Sequence, residues 1–115
     1  TDINENAKSL AFNHVIPEMN HNEINAFLAP RKEFHAILIR DRKDHPRIRK
    51  RMDITKKLIS PSIETSEVWL KGDSYLSRIF YCIHFGSWVS YLLAKSKGID
   101  PEPVEMIKKL KEELG

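Results

Sequence analysis

The sequence predicts an α/β fold of three layers, with helices packed on a small parallel sheet, and three observations carry that expectation. Phe34-His-Ala-Ile-Leu-Ile-Arg and Ser66-Glu-Val-Trp-Leu-Lys read as strands with a helical stretch between them, and no two-residue hairpin signal joins them. The first run is apolar at almost every position, the pattern of a strand covered on both faces, as in a parallel sheet. Strands alternating with helices connect through right-handed crossovers. Only two or three strands are visible, too few for a self-sufficient doubly wound sheet, so the expectation is that the first strand is missing from this fragment.

Length and composition bound the rest. The 115 residues, 41% of them hydrophobic, are read as one domain, residues 1–115. The chain opens on Thr1 with a helical pattern under way by Asn4, which suggests a piece of something longer. A lone cysteine, Cys82, cannot build a disulfide framework, and no secretory signal opens the chain, so a cytoplasmic protein is the default. The apolar run from Ile79 to Leu93 is broken by His84, Gly86, Ser87 and Ser90 and falls short of the roughly 20 residues that span a bilayer. It is read as a buried helix, and no membrane partner is expected.

In chain order, Ile3, Ala7, Leu10, Ala11 and Val15 recur at steps of three and four and predict an amphipathic helix from Ile3 to Val15. Ile16-Pro-Glu-Met-Asn-His-Asn-Glu-Ile-Asn-Ala-Phe27 then crowds a histidine, two carboxylates and several amides between apolar anchors. That density suggests a loop presenting side chains at the start of a helix from about Asn22 to Leu28, which Pro30 ends. The plain alternative is Asn20 as a helix cap and His21 as a surface histidine. After the first strand, which His35 would begin, Asp44 is the expected cap and Pro46 the first-turn residue of a helix whose buried stripe is Ile48, Met52, Thr55, Leu58 and Ile59. A long helix follows from Tyr75 to Lys97, ended by Gly98 in the left-handed conformation. Asp100-Pro101 is expected to start the last helix, with Val104, Ile107, Leu110, Lys111 and Leu114 as its inner face.

The formal net charge is +3 with 30% charged residues, a mixed-sign surface. The basic excess gathers between Arg40 and Lys57, interleaved with the buried stripe and without aromatic residues to stack on bases, so no nucleic acid partner is expected. Gly-rich phosphate loops, paired-cysteine metal sites and a His-Glu-x-x-His helix are all absent from the sequence.

Asn4-Glu5-Asn6-Ala7-Lys8, then Pro17-Glu-x-Asn-His-Asn-Glu23 with His21, then Gly98-Ile-Asp-Pro-Glu-Pro-Val104 and the terminal Ile107-x-x-Leu-Lys-x-x-Leu114 helix stand in this order along the chain. This set resembles the C-terminal sugar-isomerase (SIS) domain of the bifunctional phosphoglucose/phosphomannose isomerases, from Asn4 to Leu114. The resemblance implies an SIS-type fold and an aldose–ketose isomerisation of a hexose 6-phosphate through an enediol, with no cofactor or metal. It implies Glu5 as the base that moves the proton between C2 and C1, as a carboxylate reaching both carbons can. It implies His21 as the residue assisting ring opening, and a terminal-helix lysine acting with it: Lys111, closest to the apolar face, with Lys108 as the alternative. In that family the site is shared across a homodimer, base and histidine coming from different subunits. Phosphate recognition and the arginine stabilising the enediolate belong there to an N-terminal SIS domain that this chain does not contain, so isolated it is expected to be inactive. Many members carry threonine where Glu102 stands, near the substrate C2 hydroxyl. A carboxylate there bears on the choice between glucose and mannose 6-phosphates, or marks a shifted helix start. A non-catalytic sugar-phosphate sensor of the same fold is the rival reading. Glu18 and Glu23 are explained by the turn and the helix dipole and are not assigned to catalysis. His14, His35, His45 and His84 have no motif support, and Trp69 and Trp88 are read as core or subunit-interface residues.

Overall fold

A computed structural model describes residues 2–115. In chain order the elements are helix α1 (Asp2–Asn6), a short 3₁₀ turn (Glu18–Asn20), a 3₁₀ helix (Glu23–Leu28), strand β1 (His35–Arg40), helix α2 (Pro46–Ile59), strand β2 (Glu64–Trp69), and helices α3 (Tyr75–Ser96) and α4 (Glu105–Leu114). They fall into two compact units: Asn13–Tyr81, which holds the sheet, and the opening segment to Phe12 together with Cys82–Gly115. The chain of α3 is continuous through the boundary between them.

In the sheet-bearing unit β1 and β2 pair in parallel, with His35 opposite Glu64 and Arg40 opposite Trp69, as the absence of hairpin signals predicts. The second strand begins two residues earlier than its apolar residues suggest, because its N-terminal half is polar. Alternation along a strand puts Ala36, Leu38 and Arg40 on one face with Thr65, Glu67 and Trp69, and α2 covers that face. Met52, Thr55 and Ile59 of α2 are buried there, as is Ile63, while Leu58 of the expected stripe is exposed. Ile37 and Ile39, on the opposite face, remain exposed, so this unit supplies one covering layer where the sequence calls for two. Pro46 occupies the first turn of α2 as expected, but the cap is His45, whose Nδ1 accepts from the Arg47 N–H at 3.2 Å; Asp44 does not cap.

The N-terminus of α3 is closed by a reciprocal pair. The Ser74 hydroxyl accepts from the Ser77 N–H (3.1 Å) and the Ser77 hydroxyl from the Ser74 N–H (3.0 Å), a capping box built from two serines. Gly72, at φ +135°, lies against Ser77 so closely that no side chain would fit.

The second unit differs more from expectation. Helix α1 stops at Asn6 instead of running to Val15, because Lys8 turns left-handed (φ +48°) and its ammonium donates to the Glu5 carbonyl at 2.7 Å and the Pro101 carbonyl at 3.2 Å. A cation on the terminal carbonyls of a helix is a favourable stop. Leu10 and Val15 consequently lie exposed. Polar contacts hold α1 to α3: Asn6 Nδ2 donates to Ser90 Oγ (2.9 Å) and Ser87 Oγ to Asp2 Oδ2 (2.8 Å), over the buried Ala7, Ser90 and Ala94.

Gly98 ends α3 at φ +67°, with Ile99 N–H bonded to the Ala94 carbonyl and Gly98 N–H to the Lys95 carbonyl, a Schellman motif at the expected position. Asp100 does not cap α4; its Oδ1 accepts from the Glu102 N–H within a turn, and the helix starts at Glu105. The expected burial of α3 and of the α4 inner face is not found. Phe80, Ile83 and Trp88 of α3 are exposed, and Ile107, Leu110 and Leu114 of α4 likewise. Trp69 takes the Arg40 guanidinium over its ring at 4.6 Å, and Trp88 donates to His84 Nε2 at 3.0 Å.

Candidate functional site

Glu5 sits near the end of α1, with an exposed side chain that has no hydrogen-bond or ion partner among the described residues. The neighbours Asp2 and Asn6 are fastened to α3, so the carboxylate stands free on a helix turn held on both sides of it. A carboxylate so disposed has all its lone pairs available to accept a proton.

His21 belongs to the other unit. It ends the turn Glu18–Asn20, and its own N–H is bonded to the Glu18 carbonyl at 2.9 Å. The stretch that follows is a 3₁₀ helix where the sequence suggests an α-helix, and Asn20 does not cap it. Instead Asn20 Nδ2 donates to Thr55 Oγ1 on α2 at 2.8 Å. Met19 is buried beneath the turn, His14 Nδ1 lies 2.6 Å from Glu23 Oε2, and Ser62 Oγ donates to the Phe27 carbonyl. The imidazole itself is exposed, carried on a backbone tied down before and after it.

Lys111 lies in the last turn of α4 and is exposed, in the same unit as Glu5. Helical spacing sets it in the stripe of Ile107 and Leu114, whereas Lys108 stands at the edge of that stripe and pairs with Glu105 at 3.3 Å. Glu102 is exposed in the turn before α4. No hydrogen bond or ion pair among the described residues joins any two of Glu5, His21 and Lys111. Those described residues also contain no group of three or more metal-binding side chains, and no helix among them is long and apolar enough to cross a membrane.

An apolar cleft lies between the 3₁₀ helix and α2, lined by Ile24, Asn25, Phe27, Leu28, Leu58 and Ile59. One amide among five hydrocarbon side chains suits no sugar phosphate, whose hydroxyls and charge demand several polar partners.

Two ionic groups in the sheet-bearing unit escaped the sequence reading. Arg40, almost fully buried, holds Glu67 and, at 2.7 Å, Asp53, and donates to the Arg49 carbonyl at 3.1 Å. Burial opposes its charge, yet the hydrogen bonds to Glu67 and Asp53 raise its pKa further. The Lys56 ammonium at 2.7 Å and the Arg40 guanidinium hold the Glu67 carboxyl below the usual range. Asp41 accepts from Arg78 Nε at 2.6 Å. Burial pushes the Asp41 carboxyl up, but the Lys43 N–H and Arg78 outweigh it and hold it low. A lone arginine inside an apolar helix is the available sequence signal for the second pair; for the first, Arg40 stands at the head of the basic run from Arg40 to Lys57 and carries no separate signal.

A small parallel sheet whose two strands are joined through a helix makes this an α/β protein. The chain belongs to the family of the bacterial phospho-glucose isomerase C-terminal SIS domain, whose model matches residues 1–114. It is 45% identical over 116 aligned residues to the bifunctional phosphoglucose/phosphomannose isomerase of Aquifex aeolicus, covering 97% of this chain and 36% of that protein. The proteins of the same description from Thermoplasma volcanium (38% identical, 99% of this chain and 37% of the relative) and Caldicellulosiruptor bescii (40%, 97% and 34%) are also similar. The chain thus spans about a third of the length of the curated relatives it matches. No solved structure matches it.

Proposed function

We propose that this chain is the C-terminal SIS domain of a larger cytoplasmic enzyme that interconverts glucose 6-phosphate or mannose 6-phosphate with fructose 6-phosphate. The observation that carries the reading is the match to the SIS-domain family over nearly the whole chain, with relatives described as phosphoglucose/phosphomannose isomerases. Glu5 removes the proton from C2 of the open-chain aldose, leaving an enediolate that becomes the enediol as O1 gains a proton, and returns the proton to C1 as the O2 proton is released; the exposed carboxylate, without a partner among the described residues, supports that role. His21 serves ring opening at the ring and anomeric oxygens, its imidazole able to give or take a proton near neutrality. Lys111 assists at the ring oxygen, with Lys108 as the alternative.

Under this reading the active unit is a homodimer, His21 acting in the partner subunit's site. The N-terminal SIS domain of the same chain supplies phosphate recognition, and the isolated domain is inactive. No metal, cofactor, nucleic acid or membrane takes part. The test is Glu5→Gln in the full-length protein, followed by exchange of the C2 proton of glucose 6-phosphate with deuterated water. Exchange is expected to cease while fructose 6-phosphate binding persists; continued exchange excludes Glu5 as the base. Sugar-phosphate binding without turnover in the unaltered full-length protein would identify a sensor instead.

A further inference from the structure

We infer that Asn20 and Thr55 are positioning residues for His21: a buried hydroxyl on α2 fixes the turn from which the imidazole projects. The inference rests on the proposed role of His21.

Thr55 is 3% exposed, between Met52 and Ile59 on a stripe that is otherwise hydrocarbon. A hydroxyl in such a place costs stability unless it is hydrogen-bonded, and valine would fill the same volume without that cost. The hydroxyl therefore needs an explanation beyond packing, and its partner in the structure is the Asn20 amide at 2.8 Å. Asn20 stands immediately before His21. Its own N–H is bonded to the Pro17 carbonyl at 3.0 Å, and the His21 N–H to the Glu18 carbonyl at 2.9 Å, so the turn holds its backbone internally. Those bonds fix the shape of the turn; only a bond from the turn to another element fixes its orientation against the rest of the unit. Asn20 to Thr55 is that bond on the incoming side, and the buried Met19 is the apolar foot beside it. On the outgoing side Glu23 is held by His14. His21 is thus an exposed residue of a segment whose flanks are anchored. A histidine of no consequence requires no such anchoring, whereas a ring that must meet a substrate oxygen does, since displacements of about 1 Å can cost two orders of magnitude in rate.

The experiment compares Thr55→Val, Thr55→Ser, His21→Ala and the His21→Ala/Thr55→Val double variant in the full-length protein, by steady-state isomerisation of fructose 6-phosphate with melting temperatures alongside. The expected result is a fall in kcat of about tenfold for Thr55→Val with KM held within about twofold. Thr55→Ser, which keeps the hydroxyl, retains most of the activity, and the double variant is no slower than His21→Ala alone. Three outcomes overturn the inference: Thr55→Val at full kcat while His21→Ala is impaired, the valine and serine variants losing activity together with stability, or additive losses in the double variant. Unimpaired His21→Ala instead removes the underlying role of His21, and the inference with it.

Discussion

The Arg40 guanidinium, at the end of β1, and the Glu67 carboxylate, on β2, meet on the face of the sheet that α2 covers. Arg40 sits there with almost no access to water, and Glu67 in turn holds Lys56 of α2 at 2.7 Å, so one carboxylate joins both strands to the crossover helix. Glu67→Gln is expected to lower the unfolding free energy at pH 7 by about 2 kcal/mol, the scale of lost charge-assisted hydrogen bonds. The Glu67 carboxyl is held low in the folded state, so its contribution is complete above the ordinary carboxylate range and disappears as pH falls through the lowered value. Urea unfolding at pH 7 and at successively more acid pH should therefore show the two proteins converging as the Glu67 carboxyl takes up its proton.

Arg78 and Asp41 form the other largely buried pair, joining the first turns of α3 to the loop after β1. Removing Arg78 leaves the Asp41 carboxylate with the Lys43 N–H but without its opposite charge. Arg78→Met should cost about 3 kcal/mol, and adding Asp41→Asn should recover part of it, since no bare carboxylate then remains. A double-mutant cycle measured by urea unfolding checks the sign of that coupling; simple additivity would mean the pair contributes nothing as a pair.

Gly72 and Gly98 both have positive φ, but their surroundings differ. A Cβ at Gly72 would collide with Ser77 Oγ and lie 3.0 Å from the Arg78 nitrogen, inside the capping box of α3, while at Gly98 it would meet nothing within 4 Å. Gly98→Ala should cost about 1 kcal/mol from backbone conformation alone, and Gly72→Ala clearly more, because the cap must also break. Melting temperatures of the two variants give the order.

The terminal lysines are separable by kinetics. Lys108 is paired with Glu105, and Lys111, in the apolar stripe, has no ion-pair partner among the described residues. Lys111→Ala in the full-length protein should lower kcat by about a hundredfold and Lys108→Ala by no more than a few fold, on the scale of assisted proton transfer. The reverse order would move the ring-opening role to Lys108.

What could be read from the sequence was local. The β1 run, the first-turn Pro46, the ends of α3 and the left-handed Gly98 each follow from residues within a turn or two of themselves. The end of α1 was hidden, because Lys8 reverses the backbone while apolar residues continue at helical spacing; periodicity registers the side chains, and the ammonium on the Glu5 carbonyl decides the backbone. Periodicity also says that a face is made to be covered and not by what, which is why the α3 run and the inner face of α4 read as buried though Phe80 and Leu110 are exposed here. The candidate residues Glu5, His21 and Lys111 came from motif order, which local physics alone would not have singled out. Asn20 and Thr55, 35 positions apart, meet only through the fold.

The parallel pairing of β1 with β2 also bears on how this unit forms. Two parallel strands cannot find each other through a tight turn, so their register waits on the folding and docking of α2 between them. The sequence separation must be closed before any ladder bond rewards it, so α2 is expected to be laid on β1 already in the rate-limiting ensemble. Substitutions at Met52 and Ile59 should in consequence slow refolding more than they hasten unfolding, as the two arms of a urea chevron would show.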